Sequence, residues 1–390
     1  MKLTILGGSS PFTASFFRHA AAPQRPLSEF DTVVLQGRDE QTLERLAHHG
    51  RALLGGRRPY VSHELDLDTA LREADVVLIQ VRFGGTQWRL EVEHACRSRG
   101  LFADETLGVG GLATALHCRD KWRELGQRIS DVCPRAQVVN MVNPLSLSCQ
   151  YFGETCSRLA GLCEGPLQAV HDVAGALDCG PEALDWRYTG LNHRGFLHSL
   201  RYNGHDVDMN HVVEVSPRLA ELYDPKLQAI VSKEWWTGQA RERWTYGRAT
   251  AVASVRARLR DDLLDRRILT REVLELRPTP WYSLAILPFL AAWSGRTGAW
   301  VSTTNVLADG LTVERRSVVT RCQNSLIPDD YPTKDVGRIV DALTLHERRC
   351  LEAIDHPSRL AVEEALSLDP TIGYFNVELA AEAVSQLCPL

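Results

Sequence analysis

Two side chains with ligand chemistry stand 30 residues apart: Cys163 in GLCEGP (161–166) and His193 in GLNHRGF (190–196), each following a Gly-Leu pair that reads as a strand end or turn. A thiolate and an imidazole suit a borderline transition metal, and two protein donors leave positions open for substrate oxygens and water. On spacing alone the same two residues read more readily as ordinary core side chains. A second constellation is GGSSPFT (7–13), a small-residue turn directly after an apolar segment. Gly7, Gly8, Ser9 and Thr13 would let a phosphate approach the backbone and the following helix N-terminus. Any tight strand-to-helix turn also needs small residues, so the turn by itself decides little.

The string LQGRDE (35–40) then bears on the cofactor. Dinucleotide folds that prefer NAD put an acid at the end of the second strand to hold ribose hydroxyls, and a nearby Arg accepts a 2′-phosphate instead. Here Gly37-Arg38 stands at that place, with Asp39 one step later. Arg38 points to NADP, Asp39 to NAD, and an exposed helix-cap charge pair is the plain alternative.

These residues need a frame. Lys2 to Leu6 predicts a strand, Ala14 to Ala22 a helix, and Thr32 to Leu35, Asp75 to Val81 and Gln137 to Val142 further strands, the last two apolar enough to be buried on both faces. Strands spaced by helical segments with glycines at the junctions predict an α/β fold. A Rossmann-type doubly wound sheet is expected over residues 1–160, followed by a mixed α+β metal- and substrate-binding domain over 161–390. In that second part, Trp186 to Leu191, Phe196 to Tyr202 and the Asn-Gly of 203–204 read as a hairpin region. Arg248 to Leu276 reads as a helix, and the stretch from Asp341 as two helices joined near Asp369-Pro370.

Composition narrows the partners. The chain has 390 residues, 44% hydrophobic and 24% charged, with 44 basic against 49 acidic side chains, a net charge of -5. That is a globular composition with no basic excess, so nucleic acid is not expected as a partner. The most apolar stretch, 280–293, is 14 residues long, short of the roughly 20 that span a bilayer. No membrane association is expected. Ten cysteines without a CxxC motif read as reduced thiols and predict a cytoplasmic protein.

QVRFGG (80–85), WRLEVE (88–93), DETLGVGGLATAL (104–116), VNMVNPLS (139–146), GLCEGP and GLNHRGF, in this order behind GGSSPFT, resemble glycoside hydrolase family 4. The resemblance implies NAD as cofactor, a divalent metal, usually manganese, on Cys163 and His193, and a small-molecule sugar or glycoside as substrate. It implies oxidation of the sugar at C3, proton removal at C2 and loss of the C1 substituent, with water addition and re-reduction closing the cycle. Family 4 stands outside the two-carboxylate scheme of other glycosidases. By position, Asn143 would lie near both sugar and nicotinamide and Glu105 beside the site. Arg82, Arg89, Arg277, Glu164 and Asn192 would be substrate contacts. A homodimer or homotetramer is expected on the same ground.

The sequence also departs from the family. Glu164 stands where phospho-β-glucosidase members have Asn, and a carboxylate there would repel a 6-phosphate. The Tyr-rich block that holds the family's C2 base is not recognisable in 224–247, which leaves Tyr246 and, further on, Tyr282 as candidates. Gly37-Arg38 replaces the expected Asp. A sugar or cyclitol oxidoreductase, epimerase or dehydratase without glycosidic cleavage, and a non-catalytic sensor, are the competing expectations.

Overall fold

In the computed structural model the chain is described over residues 1–232, 247–266, 268–328, 330–372 and 376–390. Six short strands, β1 (Lys2–Leu6), β2 (Thr32–Gln36), β3 (Tyr60–Glu64), β4 (Val76–Ile79), β5 (Gln137–Asn140) and β6 (Leu159–Gly161), run parallel in the spatial order β3-β2-β1-β4-β5-β6. β4 reads VVLI with all four residues at 0% exposure. Helices cover both faces of such a sheet, and burying each side chain is worth about 1.5–3 kcal/mol. The chain reverses its direction of travel between β1 and β4, which opens a crevice at the carboxyl ends of these neighbouring strands.

The sheet does not stop at β6. β12 (Trp300–Ala308), β13 (Leu311–Thr320) and β14 (Gln323–Leu326) continue it antiparallel to nine strands, joined at the single pair Asn305↔Gly161. Residues from both sides of position 160 therefore share one sheet. A second antiparallel sheet holds β7 (Leu184–Leu191) and β8 (Arg194–Tyr202), flanked by β9 (His205–Asp206), β10 (Tyr223–Asp224) and β11 (Ala229–Val231). β7 lies against β13, which fastens this sheet to the larger one.

The segments between β1 and β3 form α1 (Thr13–Ala20) and α2 (Glu40–Leu53). The helix expected over 248–276 is two, Arg248–Arg266 and Arg271–Leu274. The carboxy-terminal pair is three, Lys334–Asp355, Arg359–Ser367 and Val377–Leu387. Pro357 ends the first, since proline disfavours helix in the residue before it, and the Ser358 hydroxyl caps the second by accepting from the Ala361 N–H. The expected break near Asp369-Pro370 is present. Among the described residues no helix is long and apolar enough to cross a membrane.

Candidate active site

The glycine turn is packed too tightly for side chains. A Cβ on Gly7, which has φ +81°, would lie 3.0 Å from the Gln80 carbonyl, and one on Gly8 2.9 Å from Leu35 Cα. Gln80 secures the turn: its Nε2 donates to Thr13 Oγ1 (2.8 Å) and to the Gly7 carbonyl (3.3 Å). The Tyr282 hydroxyl donates to Gln80 Oε1 at 2.8 Å, and its ring meets Phe16 edge-on. Burial pushes that hydroxyl above the ordinary phenol range. The structure thus places Tyr282 under the dinucleotide turn. Tyr246, the other candidate, lies outside the described residues.

A Cβ on Gly37 would meet Ser9 Oγ at 2.5 Å, so the end of β2 touches the turn directly. Arg38 is exposed. Asp39 caps α2, accepting from the Thr42 N–H (3.1 Å) and hydroxyl (2.7 Å), and also from Arg260 Nε at 3.2 Å. Burial opposes ionisation of Asp39, but these donors outweigh it and hold the carboxyl below its usual range.

Beyond β4 a second group converges. Glu105 Oε2 lies 2.7 Å from Arg82 and 3.2 Å from Arg89, and Asn143 Nδ2 donates to Glu105 Oε1 at 3.4 Å. Asp104 shapes this loop by accepting from the Thr106 and Leu107 N–H groups. Burial alone would push Glu105 up, but Arg82 and Arg89 hold it far below the carboxylate range. Arg277 lies over the rings of Phe12 (4.9 Å) and Trp281 (5.2 Å). Its guanidinium is brought down to about 10 by burial and by the nearby Arg89, Arg248 and Arg82, although Glu105 attracts it. Arg248 is set by Glu93, a buried side chain that accepts from the Gly247 and Ala249 N–H groups at the start of the helix Arg248–Arg266. Four guanidiniums thus face one carboxylate in this group, an arrangement that calls for an anion.

Cys163 follows β6, and its sulfur accepts from the Gly165 N–H at 3.5 Å and from the Asn192 side chain. Asn192 and His193 are the two-residue turn between β7 and β8, with His193 at φ +60°. The Asn192 amide also donates to Glu314 Oε2 (3.4 Å), which accepts from the Tyr188 hydroxyl (3.0 Å), while Thr303 donates to Oε1 (3.0 Å). Burial, with the charges of Glu164 and Glu314, pushes the Cys163 thiol well above its ordinary range. Burial also pushes Glu314 up to about 7. This donor set fits a divalent cation: the sulfur is surrounded by donors and negative field, and a cation supplies the one thing it needs to ionise. Among the described residues no group of three or more His, Cys, Asp or Glu is arranged to hold a metal.

A buried charged knot stands behind these loops. Arg194, next to His193, donates to Glu347 and to His346 Nδ1 (2.6 Å), and Ser146, three residues after Asn143, donates to Glu347. His346 Nε2 lies 3.4 Å from Asp369, which accepts from the Gly108 N–H, three residues after Glu105. The carboxy-terminal helix Lys334–Asp355 thereby holds all three loops that carry His193, Asn143 and Glu105. The structure thus adds Gln80, Arg194, Arg248, Arg260, Glu314, His346, Glu347 and Asp369 to the residues singled out from the sequence. A charge in the β-branched run LTVERRSVV (311–319) was the one local signal, for Glu314.

The whole arrangement defines a dinucleotide-type sheet whose crevice is completed by a second, antiparallel sheet. Solved structures share it. A 6-phospho-β-glucosidase from Thermotoga maritima, in complex with NAD and glucose-6-phosphate, superposes with a TM-score of 0.84 at 20% identity, covering 99% of this chain and 98% of that one. A 6-phospho-α-glucosidase from gut microorganisms, in complex with NAD and Mn2+, gives 0.81 at 20% identity, covering 99% and 97%. By sequence the chain is 27% identical over 246 residues to a probable 6-phospho-β-glucosidase of Bacillus subtilis, covering 60% of this chain and 54% of that one. The chain thus spans about half the length of the curated relatives it matches. Residues 2–179, a little under half of the chain, match the model of the family 4 glycosyl hydrolases.

Proposed function

We propose that the protein is a glycosidase for a glycoside bearing an anionic group, working by oxidation at sugar C3, proton removal at C2, loss of the C1 substituent, water addition and re-reduction. One observation carries the reading. The carboxyl ends of four neighbouring parallel strands deliver Gly7 from β1, Arg82 from β4, Asn143 from β5 and Cys163 from β6 to one crevice.

Bound nicotinamide supplies a hydride acceptor that also returns the hydride, and a bound divalent ion, Mn2+ by analogy with the gut glucosidase complex, supplies positive charge at the sugar oxygens. Gly7, Gly8, Ser9 and Thr13 form the turn that receives the pyrophosphate, with Gln80 and Tyr282 bracing it. Cys163 and His193 hold the metal, and Asn192 and Glu314 fix their turn. Arg82, Arg89 and Arg277 bind the substrate anion, with Glu105 keeping Arg82 and Arg89 apart and oriented. Asn143 stands between the anion site and the nicotinamide end of the crevice, and Glu164 beside Cys163 faces a sugar hydroxyl. Tyr282 keeps its proton at neutral pH, so the base at C2 is assigned to the other sequence candidate, Tyr246.

The test is aglycone release from p-nitrophenyl 6-phosphoglycosides and p-nitrophenyl uronides with dinucleotide, Mn2+ and thiol reductant present. Release that depends on both Mn2+ and the substrate's anionic group is expected. Accumulation of reduced dinucleotide with a free sugar and no aglycone release would replace this reading with that of an oxidoreductase, epimerase or dehydratase.

A further inference from the structure

The end of β2 is built for a charge that NAD does not carry. Asp39 is the acid a ribose hydroxyl would need, yet three of the roughly four acceptor positions of its carboxylate are taken by the Thr42 N–H, the Thr42 hydroxyl and Arg260 Nε. Arg260 comes from the helix Arg248–Arg266, 221 residues further along the chain. One turn earlier the same helix carries Arg256, whose Nη1 donates to Thr86 Oγ1 at 3.3 Å and which feels the charges of Arg82, Arg260 and Asp39. Arg38, directly before Asp39, is exposed at the mouth of the turn. Gly37 presents no side chain of its own.

Arg38, Arg256 and Arg260 against Asp39 leave two positive charges where the adenosine ribose of a dinucleotide in this sheet would end. Two positive charges match a phosphate monoester at neutral pH, and the planar guanidinium binds phosphate bidentately. We propose that the dinucleotide form this chain selects is the 2′-phosphorylated one, NADP, with Arg38 and Arg260 as the contacts to the 2′-phosphate and Arg256 as a supporting charge. The inference rests on the reading that the glycine turn holds a nicotinamide dinucleotide. The ribose hydroxyls of NAD would meet a carboxylate already committed to its own helix and to Arg260.

The experiment is calorimetric titration of the purified full chain with NADP+, NAD+, 2′,5′-ADP and ADP, without substrate. Wild type is expected to bind NADP+ at least tenfold tighter than NAD+, and 2′,5′-ADP at least tenfold tighter than ADP. Arg38→Ala should weaken NADP+ about tenfold and leave NAD+ within twofold. Arg260→Ala should weaken NADP+ and also tighten NAD+, because it frees one acceptor position on Asp39 Oδ2. Melting temperatures of both variants within 2–3 °C of wild type, roughly the shift of one kcal/mol, confirm that they fold. Equal or tighter binding of NAD+ by wild type, or a ratio that neither variant moves, overturns the inference while leaving the proposed function standing. Binding of neither dinucleotide overturns both.

Discussion

Arg194 forms a buried ion pair with Glu347, 153 residues further along the chain, with only 5% and 3% of the two side chains exposed. The pair joins the residue after His193 to the carboxy-terminal helix. Ser146 donates to the same carboxylate and Arg194 to His346, so a change at Glu347 is transmitted to two site loops at once.

Removing one partner of a buried pair leaves a charge uncompensated and costs about 3–5 kcal/mol. Glu347→Gln is therefore expected to lower the denaturation midpoint markedly. Ser146→Ala, which deletes one hydroxyl, should cost only about 1 kcal/mol and yet weaken Mn2+ binding severalfold, measured by the electron paramagnetic resonance of the free ion. Unchanged Mn2+ affinity in Ser146→Ala would show that the knot does not position the His193 and Asn143 loops.

Glu105 is the carboxylate that pairs directly with two arginines of the anion site, Arg82 and Arg89. Glu105→Gln should reduce kcat/KM about 10- to 100-fold by releasing Arg82 and Arg89 from their shared acceptor. It should also strengthen inhibition by inorganic phosphate, because the site gains net positive charge. Phosphate inhibition constants and kcat/KM for both proteins check the two signs together.

Tyr282→Phe and Tyr246→Phe should separate binding from proton transfer. The first removes one hydrogen bond to Gln80 and is expected to weaken dinucleotide binding up to about tenfold, leaving solvent exchange of the C2 proton intact. The second is expected to abolish that exchange and spare dinucleotide affinity. Loss of exchange in Tyr282→Phe would transfer the base role to Tyr282.

Glu314 gives a pH dependence with a definite sign. The folded protein keeps this proton until about pH 7, whereas the unfolded chain releases it near the ordinary 4.5. Between those values the native state binds more protons, so Glu314 makes stability fall as pH rises from 4.5 to 7. Glu314→Gln should flatten that fall and melt higher than wild type at pH 8, with little difference at pH 5. A parallel decline in both proteins, followed by thermal unfolding across this range, would remove Glu314 as the source.

Much of the frame was legible because its signals are local. Each of the apolar runs of β1, β4 and β5 is a continuous stretch of a few residues, the glycine turn directly follows β1, and the Asn192-His193 turn directly joins its flanking strands. The arginines of the anion site were legible only by resemblance. The Arg194–Glu347 pair, the Arg260–Asp39 pair and the Asn192–Glu314 contact span 153, 221 and 122 residues, and no periodicity marks partners at such separations. The antiparallel extension β12–β14 was missed for a related reason: β12 buries the polar run Ser302, Thr303, Thr304 and Asn305 on both of its faces, all at 0% exposure, where a hydrophobic pattern would be sought.

The contact between Gly37 and Ser9 bears on how this protein can change. An acid at position 37 would restore the ribose acceptor of an NAD-type fold, but its Cβ would fall 2.5 Å from the Ser9 hydroxyl and 2.8 Å from its Cβ. A single substitution there meets a clash before it gains a hydrogen bond. Placing an acid there needs a smaller residue at 9 in the same step, so a change of cofactor preference at this position takes two coordinated substitutions.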